Sequence, residues 1–246
     1  MALYSRTDGT TDVVVVGGGI IGLAVARRMR REGLSVALLE RGAIGRGASS
    51  VAAGMLAPVA EVEMGEHGRA AVELGLRAAS MWPAYAAELE ELTGQGVGLR
   101  PTGILMVARD DDEARELERQ AAVRATLGLN AVRLLPSEAR EREPALAPSL
   151  RAALAVPGDR SVDPRRVLDA LCAICEREGV AVTEGAEVAG LILEPAPART
   201  RRVAGVRLRD GAEHRARHVL IAAGAWSGAS WGLPEGVGVP VRPVKG

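Results

Sequence analysis

The sequence predicts an α/β fold organised around one βαβ unit, and three observations carry that prediction. Four consecutive valines, residues 13–16, read as a buried strand. They run into Gly17-x-Gly19-x-x-Gly22, after which the apolar residues Ile20, Ile21, Leu23, Ala24 and Val25 take helical spacing. Beyond Gly33 a second apolar strand, residues 35–39, ends on an acid, Glu40. Strand, glycines, helix, strand and terminal acid together form a Rossmann-like dinucleotide signature. Gly17 permits the tight turn, Gly19 lets backbone approach a pyrophosphate, and Gly22 lets helix and sheet pack closely. The helix N-terminus offers unpaired N–H groups and a positive dipole end to phosphate. Glu40 is placed to accept both hydroxyls of an adenosine ribose.

Composition narrows the function. The chain has 246 residues, 48% of them apolar, enough for one large domain or two modest ones. Acids and bases balance at 31 each, so no overall field draws it to nucleic acid or a membrane surface. Aromatic residues make up 2%, which leaves few stacking platforms for single-stranded nucleic acid. No apolar run reaches the ~20 residues a bilayer span requires, and residues 1–12 lack the apolar stretch of a signal peptide. Two cysteines do not make a disulfide framework, which fits a cytoplasmic protein.

The remaining elements follow in order. Residues 41–57 are rich in glycine, alanine and serine, too apolar for a plain surface loop. They read as a ligand-facing segment in which Ala52, Ala53 and Gly54 let a flat ring approach. Residues 61–93 are helical in spacing, with Pro83 starting a second helix or kinking a single one. A strand over 102–108 precedes a helix that opens on residues 110–113 and runs to about 127. Four acids in its first turn read as capping, not metal binding. Residues 130–150 read as a strand followed by short turns around three prolines, and 152–156 as a strand. Asp163-Pro164 starts a helix that ends before Gly179. Cys172 and Cys175 on it form C-x-x-C, and without thioredoxin-like surroundings they read as packing residues. Strands follow over 180–182, 187–193 and 203–209, then a turn at Asp210-Gly211. The buried-type strand 218–223 closes on Gly224, a second close backbone approach to the cofactor.

Two features favour FAD over a nicotinamide. One is the small-residue loop after Glu40. The other is the long insertion before the sheet resumes, since nicotinamide enzymes usually continue with short βα units. Arg41 suggests a 2′-phosphate, but Glu40 beside it would repel one.

At this point the residues carry a resemblance. The run GGGIIGLAVARRMRREGLSVALLERGAIGRGASSVAAGML resembles the D-amino acid oxidase–type FAD-dependent oxidoreductases. The segments GMLAP, GDRSVDPRRVLDAL, VLIAAGAWS and PVRPVKG are most similar to the glycine oxidases of thiamine biosynthesis. The resemblance implies a three-layer β/β/α FAD-binding fold with part of a second, mixed-sheet substrate domain. It divides the chain into an FAD-binding part, 10–96 and 158–232, and a partial substrate-binding part, 97–157 and 233–246.

It also implies cofactor-binding roles. Ile20 and Ile21 fall at the pyrophosphate turn, and Glu40 and Arg41 at the adenosine end. Ala48, Ser49, Ala53, Gly54 and Met55 fall on the flavin side, Val188 at the adenine through its backbone, and Gly224 at the strand-end contact. Met55 either faces substrate or fills a gap. The implied activity is oxidation of glycine or a small amine by O2, giving H2O2 and an imine for thiazole assembly. A sarcosine or D-amino acid enzyme, or an inactive FAD-binding module, is the alternative, and a homo-oligomer stays open. No catalytic residue is assigned. The last FAD-contacting segment and the substrate-clamping arginine are expected beyond Gly246, in a longer oxidase.

Overall fold

The structure is a computed structural model that describes residues 10–62, 68–197, 200–229, 231–233, 238–241 and 243–244. The expectations for the polar N-terminus, for residues 63–67 of the long helix and for residues 242, 245 and 246 of the closing PVRPVKG lie outside them. The chain divides into two compact units, residues 1–52 with 164–246, and residues 53–163.

The first unit is built on the expected βαβ. Strand β1 (Thr11–Val16) leads into helix α1 (Ile20–Arg31), which returns to strand β2 (Val36–Leu39). All four residues of β2 and the last four of β1 are buried, as strands covered on both faces must be. Alternation divides them between the faces. Val14, Val16, Ala37 and Leu39 pack with Val206, Leu208, Ala216 and Trp231 in one core, whereas Val15 points at Gly22 on α1. Helix α1 buries Leu23 and Ala26 and ends on Arg28, Arg30 and Arg31, cations that suit a helix C-terminus.

Residues 41–52 do not form a plain loop. One helical turn, α2 (Ala48–Val51), stands within them. Helix α6 (Pro164–Arg177) follows in this unit, starting at the expected proline and packing on α1 and α2. Four more strands complete the unit: β8 (Ala181–Thr183), β9 (Val188–Pro195), β10 (Arg201–Leu208) and β11 (Glu213–Ile221).

The sheet has the order β8-β2-β1-β11-β10-β9. Strands β8, β2, β1 and β11 run parallel, while β11, β10 and β9 form an antiparallel meander. The arm after the Asp210-Gly211 turn and the buried strand beside Gly224 are therefore one strand. Its first half pairs with β10 (Gly205 with Arg215), and its second half pairs with β1 (Val16 with Ile221). The arginine-rich start of β10 is spent on this meander, where Glu194 takes Arg202 and Arg215 on neighbouring strands.

The second unit contains β3 (Met55–Leu56), α3 (Gly68–Thr93), β4 (Ile104–Ala108), α4 (Asp111–Thr126), β5 (Val132–Leu134), α5 (Pro136–Arg142), β6 (Ala152–Val156) and β7 (Arg160–Ser161). Strands β4, β6 and β5 form an antiparallel sheet, and β3 pairs with β7. Helix α3 is a single helix with Pro83 inside it. Where turns were expected after Leu134, Pro136 starts α5, and Glu138 reaches back to accept the Leu135 N–H at 2.7 Å. Asp110 caps α4 by accepting from Glu113 N–H at 2.9 Å, as its acids suggested. The Arg109 side chain beside Glu113 holds that carboxyl down at about 2.

These compact units break at 52/53 and 163/164, whereas the functional division implied by the resemblance breaks at 96/97 and 157/158. Residues 53–96 thus fold with the small antiparallel sheet. No helix among the described residues is long and apolar enough to cross a membrane.

Candidate cofactor site

The turn between β1 and α1 is a backbone cradle. Gly17 N–H donates to Leu39 O at 2.8 Å and Ala222 N–H to Val16 O at 2.8 Å, which locks the ends of β2, β1 and β11 together. Gly17 has φ +110°, and a Cβ there would stand 2.4 Å from Ala222 O. A Cβ on Gly22 would stand 1.9 Å from Gly17 O. Neither position admits a side chain. Gly19 is different: the nearest atom to a Cβ would be Ser49 Oγ at 3.2 Å, so this face of the turn is lined by a hydroxyl and not by packed backbone.

Gly19 is the N-cap of α1 and offers no side-chain cap, and the first turn carries no acid. The first amides of the helix therefore need acceptors from elsewhere. Ile20 N–H finds one in Ser49 Oγ at 3.1 Å. The Ser49 hydroxyl still carries an O–H that can donate to an anion at the same place. Ile21, in the first turn, is 65% exposed, an apolar side chain beside the amides that a diphosphate would use.

Glu40 occupies the tip of β2. Its Oε2 accepts the Gly18 N–H at 2.7 Å, and its Oε1 accepts the Gly42 N–H at 2.9 Å. Its own backbone is held by Thr183 O at 2.9 Å and by the Ala186 N–H at 2.8 Å. The second of these brings the start of β9, and Val188 two residues on, to the same sheet end. The guanidinium of Arg41 lies over the ring of Trp226, 3.7 Å from its centroid, in the 3-10 turn Gly224–Trp226 that follows β11. Gly224 itself has φ +54° and is exposed.

The structure thus brings Gly17, Gly19, Ile20, Ile21, Gly22, Glu40, Arg41, Ser49 and Gly224 to the ends of the parallel strands. Ala48 starts α2 and is exposed. Ala53, Gly54 and Met55 belong to the second unit, where Gly54 O accepts the Val162 N–H at 2.9 Å. Met55 there is 51% exposed. An exposed methionine on a two-residue strand is not filling a core gap.

Sequence reasoning missed three participants. Gly18 supplies the amide that fixes Glu40, Gly42 supplies the second, and Trp226 stacks on Arg41. The third glycine of the Gly17-Gly18-Gly19 run was the signal for the first. A Cβ on Gly18 would stand 2.3 Å from the Ile44 side chain. For the other two no local signal exists.

The thiols take no part. Cys175 is buried, donates to Leu23 O at 3.4 Å, and burial pushes its pKa up to about 12. Burial, together with the Glu176 and Glu184 carboxylates, also raises Cys172, which lines a 550 Å³ cleft with them. Neither is a thiolate nucleophile at neutral pH.

A parallel sheet with a glycine turn, a helix whose N-cap is a glycine without a capping side chain and an acid two strands' width from a second glycine defines a dinucleotide-binding protein. The residues fit a diphosphate nucleotide: donors where phosphates would lie, an acceptor where ribose would lie, and a glycine without a side chain, Gly19, on the open face between. Comparison with known proteins assigns the family. Residues 12–246 match the model of the FAD dependent oxidoreductase family DAO, and the chain belongs to that family.

The chain is 35% identical over 236 residues to a glycine oxidase of Geobacillus kaustophilus, across 96% of this chain and 60% of that protein. It is 32% identical to a bifunctional protein ThiO/ThiG of Trichormus variabilis, over 96% of this chain and 33% of that protein. The crystal structure of the Geobacillus kaustophilus glycine oxidase superposes with a TM-score of 0.80, covering 92% of this chain and 59% of that one. A glycine oxidase structure from Bacillus cereus gives 0.78 at 29% identity, covering 89% of this chain and 56% of that one. The chain therefore spans about 60% of the length of the glycine oxidases it matches.

Proposed function

We propose that this chain binds FAD and is the FAD-holding portion of an oxidase that deaminates glycine or a small amine with O2, releasing H2O2, in thiamine thiazole biosynthesis. The observation that carries the binding reading is the Glu40 carboxylate, fixed by the Gly18 amide at 2.7 Å beside the open N-terminus of α1. The likeness to glycine oxidases across 96% of the chain supports the substrate class.

The residues have distinct tasks. The amides of Ile20 and Ile21, with the Ser49 hydroxyl, hold the diphosphate. Gly19 keeps that path clear, while Gly17 and Gly22 let the turn close and the helix pack on the sheet beside it. Glu40 accepts from the ribose hydroxyls, Arg41 borders the adenosine, and Val188 offers its backbone to the adenine. Gly224 closes the cradle at the end of β11. Ala48 lines the flavin side, as do Ala53, Gly54 and Met55, and Met55 faces substrate. In this division residues 10–96 and 158–232 serve the cofactor, and 97–157 with 233–246 serve the substrate. Bound FAD supplies a two-electron acceptor that O2 reoxidises. The protein is assigned to the cytoplasm.

Purified protein is expected to be yellow with a flavin spectrum. An oxygen electrode with glycine, sarcosine and D-alanine, applied to the longer oxidase of which this chain is the FAD-holding portion, identifies the substrate, glycine being expected to consume O2 fastest. A flavin-loaded longer protein without turnover on any of the three would leave a binding module and overturn the oxidase. A colourless protein under FAD saturation would overturn both.

A further inference from the structure

We infer that Arg165 is a positioning residue of the pyrophosphate turn, acting through α2 on the Ser49 hydroxyl; the inference rests on FAD binding at α1. Four residues make a helix with too few internal bonds to stand alone. The carbonyls at the C-terminal end of α2 are unpaired within it, so its placement depends on outside donors. Arg165, the second residue of α6, supplies one: its Nη1 donates to Ser50 O at 2.9 Å across 115 residues.

The same helix fixes the front of the segment. Leu168, one turn further along α6, lies against Gly45, where a Cβ would meet it at 3.3 Å. Gly45 N–H in turn donates to Gly18 O at 2.9 Å. Residues 45–50 are thus pinned at one end to the glycine turn through Gly45 and at the other to α6 through Ser50. Ser49, immediately before the pinned carbonyl, is the residue whose Oγ accepts the Ile20 N–H at 3.1 Å. A chain of bonds runs from guanidinium to carbonyl, along one peptide, to hydroxyl and on to the first amide of α1. Arg165 is exposed, so its replacement removes this chain without opening the core.

The test compares wild type with Arg165→Met, Ser49→Ala and the double variant. FAD and ADP are titrated into each, and amide exchange at Ile20 is followed in ligand-free protein. Each single change is expected to raise both dissociation constants about three- to tenfold, the scale of one ordinary hydrogen bond lost. The double variant should be no weaker than the worse single one. Arg165→Met should also speed exchange at Ile20, as Ser49→Ala does, while the dependence of binding on salt keeps its slope. Additive losses, or a slope reduced by Arg165→Met, would show a direct charge effect on the diphosphate and overturn the inference. Failure of wild type to bind FAD would overturn the proposed function instead. Exchange at Ile20 would then still decide the case, since unchanged protection in Arg165→Met removes Arg165 from the turn.

Discussion

Glu40 Oε2 accepts the Gly18 N–H at 2.7 Å, so the acid ending β2 is tied to the glycine turn that ends β1. The bond spans 22 residues and sets the carboxylate at a fixed distance from the N-terminus of α1. A nucleotide with diphosphate and ribose a fixed distance apart requires such a rigid pair.

Replacing the carboxylate tests the ribose end. Glu40→Ala removes charge-assisted bonds to the ribose hydroxyls and is expected to weaken FAD by ~1–3 kcal/mol. Titration monitored by flavin fluorescence measures it. An unchanged dissociation constant would remove Glu40 from the site.

Filling the diphosphate path tests the turn. Gly19 has φ −78°, which any residue adopts, and its Cβ would meet only Ser49 Oγ at 3.2 Å. Gly19→Val should therefore fold, with a melting temperature near wild type, and retain no FAD through a gel-filtration column. Gly22→Ala should fail earlier, since its Cβ would lie 1.9 Å from Gly17 O. The contrast separates loss of binding from loss of fold.

The second unit carries a buried charged clip. Asp159, 1% exposed, accepts from Val59 N–H at 3.3 Å and Ala60 N–H at 2.7 Å. Arg124, 1% exposed, donates to the carbonyls of the same two residues. Arg124→Ala leaves both buried carbonyls without their donor and takes away a positive charge facing Asp159, which keeps only its two amides and the field of Arg160, and is expected to cost roughly 3–5 kcal/mol in urea unfolding.

Burial pushes the Asp159 carboxyl above the usual carboxylate range, against the pull of the two amides and Arg124. A group raised in the folded state adds stability that is full below its unfolded value, about 3.9, and is lost as pH rises through the folded value. The stability of wild type relative to Asp159→Asn should therefore grow as pH falls through that interval. Urea midpoints at several pH values measure it, and a gap that shrinks on acidification contradicts it.

Thiol chemistry gives a simple check on α6. With its thiol pushed up to about 12, Cys175 should resist iodoacetamide in native protein at neutral pH and react once the chain is unfolded. Mass spectrometry of the labelled peptides distinguishes the two cysteines.

How much of this was legible in sequence depended on range. β1, α1 and β2 were legible because strand pattern, glycines and helical spacing fall within 29 consecutive residues, 11 to 39. α2 was not, because four residues of alanine, serine and valine show no period. α5 was hidden by Pro136, read as a turn although proline suits a first helical turn. The double pairing of β11 and the Arg124–Asp159 clip depend on partners tens of residues away, where local pattern carries no information. Within the site the acid and the glycines were readable. Their fastening to one another, through Gly18, Ser49 and Arg165, was not.

Titration of the purified chain with FAD is the most direct test of the central claim, that the β1–α1 turn and Glu40 form an FAD site. Saturable binding at one FAD per chain, lost in Gly19→Val and weakened in Glu40→Ala, is the result expected. A chain that stays colourless at saturating FAD, or binds it equally well in all three forms, contradicts it.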